Sequence, residues 1–304
     1  MNHTMKAPSL IALDIGGTHV KYGLVGMQGQ VTQAGVIDTL GRDGIVSLLS
    51  RLDDVVHALR ESRPVGVAVS TLGIVGLGTG RIRGAADAVA GYAGTDLAAH
   101  FEHRFGLPTT VENDVNCVAL AEGWCGAAVG LDHYIALTLG TGIGGGIVIN
   151  GRLYRGSSCA AGEWGNAVVE GEVWEKVASL RGLGLLGEQA FGRAPCSAHH
   201  VFEAGDAGDP VALAVLQRWY QRLATGITAL MYAFDPQAVI IGGGICGRGE
   251  RFLDELREAM SPFLRTDFSG DAKVALAATG NNAGMLGAAK HWAQLHGHLA
   301  AWTG

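Results

Sequence analysis

One pattern occurs twice in this chain and restricts its fold more than any other feature: apolar strand, glycine-threonine turn, apolar strand. The first copy runs Leu10–Asp14, then Ile15-Gly16-Gly17-Thr18, then Val20–Val25, with Val31–Ile37 as a third strand. The second runs His133–Leu139, then Gly140-Thr141-Gly142, then Ile143–Ile149, extended by Arg152–Tyr154. Strands joined by such short turns pair antiparallel, so each copy predicts a meander. Helical spacing of apolar residues predicts helices over 45–59, 95–105, 114–127, 210–234, 249–264 and 282–295. Strands are expected at Val65–Val69, Thr109–Glu112, Ala238–Ile241 and Lys273–Ala277. The result is an α/β chain whose two halves begin alike.

The chain's 304 residues exceed the usual size of one core, so two domains are expected. They are a small N-terminal α/β domain over 1–120 and a larger one over 121–289. The final helix, about 290–304, packs back on the first. Glycine stands out at 48 residues, about 16% against a usual ~7%. The glycines cluster after apolar runs, where backbone turns tightly or approaches a ligand. Net charge is −6 and no block of five basic residues occurs. This removes the electrostatic case for nucleic-acid or membrane-surface binding. No apolar run reaches the ~18 residues of a membrane helix. Five cysteines without a C-x-x-C pair read as free thiols in a reducing compartment, and Met1–Ser9 has no signal-peptide core. A cytoplasmic protein is expected.

The glycine loops are candidate phosphate sites. At Asp14-Ile15-Gly16-Gly17-Thr18-His19-Val20-Lys21, two glycines let backbone approach phosphate oxygens and Thr18 adds a hydroxyl. Asp14 can hold Mg²⁺ through water. A plain hairpin would need Gly-Gly only for positive φ, and would not need the aspartate. Gly140-Thr141-Gly142-Ile143-Gly144-Gly145-Gly146 is richer than a hairpin requires. It is neither a Walker loop, lacking G-K-[ST], nor a Rossmann fingerprint, since a strand follows it. Gly242-Gly243-Gly244 ends a buried strand, where adenine or ribose can lie on backbone, or the chain simply turns into a helix. The small residues of Ala283-Gly284-Met285-Leu286-Gly287 admit either closeness to the base or tight helix packing.

Between the two loops stands Glu112-Asn113-Asp114-Val115-Asn116, at an expected strand-to-helix junction. Asp114 is the candidate general base; its competing role is a helix N-cap. Asn113-Asp114 offers two polar groups where one would cap. Glu163, Asn166 and Glu175 are candidate partners for sugar hydroxyls. Trp219, Tyr220 and Trp292 are read as core residues before interface residues.

Together D-I-G-G-T-x-x-K, E-N-D-x-N, G-T-G-I-G-G-G and A-G-E-x-G resemble the ROK family, in the family's order, from Ile11 to about Ala289. That resemblance implies a two-domain actin-like ATPase (ribonuclease H-like) fold with an active-site cleft between the domains. It implies an ATP-dependent kinase acting on the 6-hydroxyl of a hexose, glucose-type or N-acetylmannosamine-type. Asp114 would be the base; Gly73, Asn113, Glu163, Asn166 and Glu175 would bind sugar. Asp14, Gly16, Gly17, Thr18, Lys21, Gly140, Thr141 and Gly142 would serve the phosphates of Mg-ATP, and Gly243 and Gly244 the adenosine. Gly91-Tyr92-Ala93-Gly94 resembles the family's sugar-side loop. Two departures stand out: Asn166 replaces a common His, and the segment 168–175 lacks the cysteines that hold a structural zinc in many members. No zinc is therefore expected. The start before the first loop is too short for the helix-turn-helix of family repressors. A homodimer is expected by resemblance. The competing classes are a non-catalytic sugar sensor and an actin-like ATPase without a sugar substrate.

Overall fold

The computed structural model describes residues 8–84, 88–265 and 273–297. Two compact units divide the chain: Met1–Gly126 with Arg155–Ala160 and Asn281–Gly304, and Ala127–Tyr154 with Ala161–Gly280. The main break thus falls at 126/127. Residues 298–304 of the expected final helix lie outside the described residues.

The first unit begins β1 (Ser9–Ile15), β2 (His19–Gly26), β3 (Val31–Asp38) and α1 (Gly44–Leu59). It continues with β4 (Val67–Thr71), a small hairpin of β5 (Ile74–Val75) and β6 (Ile82–Gly84), α2 (Leu97–Phe105), β7 (Thr109–Asn113) and α3 (Asp114–Cys125). The second unit holds β8 (Tyr134–Leu139), β9 (Ile143–Ile149) and β10 (Arg152–Leu153), then a hairpin of β11 (Val168–Val169) and β12 (Glu172–Val173). Helices α4 (Trp174–Ala178), α5 (Leu180–Phe191), α6 (Ala198–Asp206) and α7 (Pro210–Phe234) follow. β13 (Ala238–Gly243), α8 (Glu250–Met260) and β14 (Lys273–Leu276) complete it. The last helix, α9 (Ala283–Leu295), belongs to the first unit.

The two main sheets repeat one topology. Their orders are β3-β2-β1-β4-β7 and β10-β9-β8-β13-β14. In each, the opening meander is antiparallel and the remaining pairings are parallel. The expected meanders are therefore both present. The repeat lies in topology because residues of different identity satisfy the same strand pattern.

Alternation along β1 decides which helices cover which face. Ile11, Leu13 and Ile15 pack with Leu48, Leu52 and Val56 of α1 and Phe101 of α2. Leu10 and Ala12, from the intervening positions, pack with Cys117 and Ala121 of α3 and Met285, Ala289 and Trp292 of α9. Small residues on this second face let α9 lie close. A Cβ at Gly66 would sit 2.5 Å from Trp292 Nε1, which donates to the Pro108 carbonyl at 2.9 Å. In the second unit, Ile135, Leu137 and Leu139 of β8 and Val239 and Ile241 of β13 pack with Trp219, Leu223 and Ile227 of α7. Asp209 caps α7 by accepting from Val211 and Ala212 at 2.8 and 3.0 Å, and Pro210 supplies its first turn. Trp219, Tyr220 and Trp292 are all core residues.

Candidate functional site

In the first unit, Asp14 sits near the end of the central strand β1, where neighbours on both sides approach it. Ser70 Oγ of β4 donates to its Oδ1 at 2.7 Å. Lys21 Nζ of β2 lies 3.9 Å from its Oδ2 and donates to the Asn281 carbonyl at 3.2 Å. Burial pushes the Asp14 carboxyl above its ordinary range, against the Ser70 hydrogen bond and the Lys21 charge. Helix α9 begins directly against it: a Cβ at Gly284 would lie 2.3 Å from Asp14 Cγ. The small residues opening α9 are thus packing residues, and what they pack against is the candidate magnesium carboxylate. The turn over Gly16-Gly17-Thr18 is held from behind. Gly16 N–H donates to the His19 carbonyl at 3.0 Å, and Thr39 Oγ1 donates to the Gly16 carbonyl at 2.7 Å. The Thr39 N–H donates to the Thr18 carbonyl at 2.8 Å.

At the β7–α3 junction, the cap is Asn113. Its Oδ1 accepts from the Val115 and Asn116 N–H groups at 2.9 and 3.1 Å, and its Nδ2 donates to the Gly73 carbonyl at 3.0 Å. Gly73 has φ 90°, a left-handed conformation that a side chain would strain. Asn113 therefore has one amide hydrogen left to offer a ligand. Asp114 is the first residue of α3, with Oδ1 2.9 Å from the Val115 N–H. A helix start favours negative charge. The Asp114 charge also reaches Tyr92: burial, chiefly, and then Asp114 push the Tyr92 phenol up, and its hydroxyl is hydrogen-bonded to Thr71. Asp14, Ser70, Thr71, Tyr92, Asn113 and Asp114 all belong to the first unit, on a loop, near strand ends or at the start of α3.

In the second unit, Gly140 turns the β8–β9 hairpin with its N–H donating to the Gly142 carbonyl at 3.1 Å; a Cβ there would meet nothing within 4 Å. The Gly140 carbonyl accepts the Leu180 N–H at 3.0 Å, so the start of α5 is tied to this turn. Glycines further along have a packing reason. A Cβ at Gly142 would lie 2.6 Å from Glu175 Oε2, and one at Gly145 1.8 Å from Trp164 Nε1. Glu175, near the start of α4, accepts from the Ile143 N–H at 3.4 Å. It is not the solvated helix residue that a single Glu on a helix would suggest. Glu163 is pushed up by the protein packed around it and then by the Glu175 carboxylate, so these two candidate sugar ligands sense one another. Asn166 is exposed and folds back on the Glu163 carbonyl. Gly243, with φ 91°, lies so close to Leu139 that a Cβ would be 2.4 Å from its carbonyl oxygen. The structure thus puts Gly140, Thr141, Gly142, Glu163, Asn166, Glu175, Gly243 and Gly244 in one unit, at the β8–β9 turn, the segment after β10 and the end of β13.

Ser70 and Arg155 carried no signal of their own in the sequence, and Tyr92 stood out only as part of the Gly91-Tyr92-Ala93-Gly94 loop. Each is brought to the site by strand pairing or by a distant loop.

The ROK family pattern matches residues 10–295. A β-glucoside kinase of Listeria innocua is 35% identical over 94% of this chain and 97% of its own length. A glucokinase of Thermotoga maritima is 31% identical over 92% and 96%. Among solved structures, the ROK hexokinase of Thermus thermophilus superposes with a TM-score of 0.83 at 29% identity, covering 95% of this chain and 99% of that one. A ROK glucokinase of Streptomyces griseus, solved with glucose and AMPPNP, gives 0.81 at 29% identity, covering 94% and 99%. The paired five-stranded α/β units therefore have the actin-like ATPase fold of the ROK hexokinases, and the chain belongs to the ROK family.

Proposed function

We propose that this chain is an ATP-dependent sugar kinase that phosphorylates the 6-hydroxyl of a glucose-type or N-acetylmannosamine-type hexose, with Asp114 as general base. The observation that carries this reading is the division of labour at the start of α3. Asn113 stands at the cap position and already accepts both the Val115 and Asn116 N–H groups, so the Asp114 contact to the Val115 N–H only adds to a cap that is made without it. The kinases among its relatives support the same class.

In this mechanism Asp114 takes the proton from the 6-hydroxyl as that oxygen bonds to the γ-phosphorus. The bond from phosphorus to the bridging oxygen breaks, and ADP leaves with the electron pair. Asn113 uses its remaining amide hydrogen on a neighbouring hydroxyl; Glu163, Glu175 and Asn166 accept from or donate to the others. At the two turns the N–H groups of Gly17, Thr18, Thr141 and Gly142 are the ones offered to phosphates, since those of Gly16 and Gly140 are bonded within their turns. Asp14 would hold the magnesium of the nucleotide through water. Among the described residues no group of three His, Cys, Asp or Glu could hold a metal, and Asp14 is a single carboxylate with one oxygen taken by Ser70. That donor set fits a hydrated cation held chiefly by phosphate oxygens. When bound, the cation neutralises charge on the β- and γ-phosphates. A cytoplasmic homodimer completes the proposal. All five cysteines are free thiols, which suits a reducing compartment.

The test is Asp114→Asn in a coupled ADP-release assay over glucose, mannose, N-acetylmannosamine, N-acetylglucosamine and cellobiose. Base assistance contributes ~10²–10⁴ in rate, so turnover should fall by about that factor while sugar still binds. Near-normal turnover in the variant would refute the assignment.

A further inference from the structure

Glu112 stands immediately before the cap, is 4% exposed, and has both carboxylate oxygens engaged within the first unit. Oε1 accepts the Asn113 N–H and the Asn116 side-chain amide, each at 2.9 Å. Oε2 receives Arg155 Nε at 2.6 Å and Nη2 at 2.5 Å. Arg155 is far away in sequence, at the start of the stretch 155–160 that belongs to this unit although its flanks do not. His291 of α9 completes the cluster, with Nδ1 3.3 Å from Arg155 Nη2 and Nε2 3.8 Å from Glu112 Oε2. Burial depresses His291 to about 4, so near neutral pH it adds no charge.

A buried ion pair is weak evidence for stability, because desolvating two charges offsets most of their attraction. What this pair does have is aim. Glu112 grips Asn113 and Asn116, the residues on either side of Asp114 and Val115, and Arg155 fixes Glu112 through two donors on one oxygen. We propose that Arg155 is a positioning residue for the candidate base: through Glu112 it fixes the first turn of α3 and thereby the direction of the Asp114 carboxylate. This rests on the kinase reading of Asp114.

The experiment is a double-mutant cycle on the full chain, using Arg155→Met, Arg155→Lys and Asp114→Asn. Turnover and sugar KM are measured on material whose folding is checked by thermal melting. Arg155→Met should lower kcat by roughly 10–100-fold, as expected for a misdirected base, with sugar KM changed less than about threefold. Arg155→Lys retains the charge without the paired donors and should recover part of the loss. In the Asp114→Asn background, Arg155→Met should cost less than about threefold, because the group it positions is gone. Losses that multiply across the cycle, or unchanged kcat in a folded Arg155→Met protein, would overturn the proposal while leaving Asp114 as the base. Near-normal turnover in Asp114→Asn alone would remove the base reading, and this proposal with it.

Discussion

Replacing Gly284 by alanine tests how Asp14 is held. The added Cβ would lie 2.3 Å from both Cγ and Oδ1 of Asp14, and 2.7 Å from Oδ2. Ordinary carbon contacts begin about 1 Å further out. Asp14 has little room to yield: its side chain is short, on a central strand, and bonded to Ser70 at 2.7 Å. Either α9 shifts or the carboxylate turns away from Ser70. Overpacking of this kind costs ~1–3 kcal/mol. Losing a hydrogen bond to a charged group costs ~1.5–3 kcal/mol, offset by up to ~1 kcal/mol of helix propensity. The net expectation is a destabilisation of about 2–5 kcal/mol, read from urea unfolding. If Asp14 serves Mg-ATP, its displacement should also lower kcat/KM for ATP by roughly 10–100-fold, the kinetic equivalent of one charge-assisted contact. Gly66→Ala is the control. Its Cβ meets Trp292 of α9 at 2.5 Å and should destabilise the helix packing without touching Asp14. Equal kinetic losses in the two variants, or normal ATP kinetics in Gly284→Ala, would refute the reasoning.

Asp14 also carries a pH signature. Its folded carboxyl titrates above the ordinary 3.8, so it favours the folded state below that pH and the contribution is lost as pH rises through the raised value. Asp14→Asn should therefore be more stable than the parent at neutral pH, not below pH 3.8, and should use ATP poorly; matched unfolding curves at the two pH values check this. His291 has the opposite sign. Its folded value of about 4 lies below the ordinary 6.5, so stability falls as pH drops from 6.5 to 4, by up to about 3 kcal/mol. His291→Gln should flatten that acid limb in urea midpoints. Asn113→Ala removes the cap and the Gly73 tie and should cost about 1–2 kcal/mol, whereas Asn113→Asp keeps the cap and loses only the donor to Gly73.

The strand-turn-strand repeats, the long α7 and the glycine turns could be read from the sequence because period and turn chemistry are local properties. Pro210–Phe234 was expected and found with the same ends, since Asp209 and Pro210 mark one end and apolar spacing carries to the other. The helices α4, α5 and α6 were not expected. α5 carries Gly182, Gly184 and Gly187 in Leu180–Phe191, which weaken a helix signal that packing then overrides. The candidate base was legible as a carboxylate at a helix start, but the sequence left open which of two adjacent residues caps it. Hydrogen-bond geometry assigns the cap to Asn113. The pairing of Glu112 with Arg155, 43 residues away, and of Asp14 with Ser70 and Gly284 could not be read locally. The two meanders, the family motifs and the candidate residues could be read without the fold, because each is written within a few neighbouring positions. Tertiary structure alone decided which of those residues are held, by what, and at what electrostatic cost, because burial and long-range pairing exist only once the chain has closed on itself.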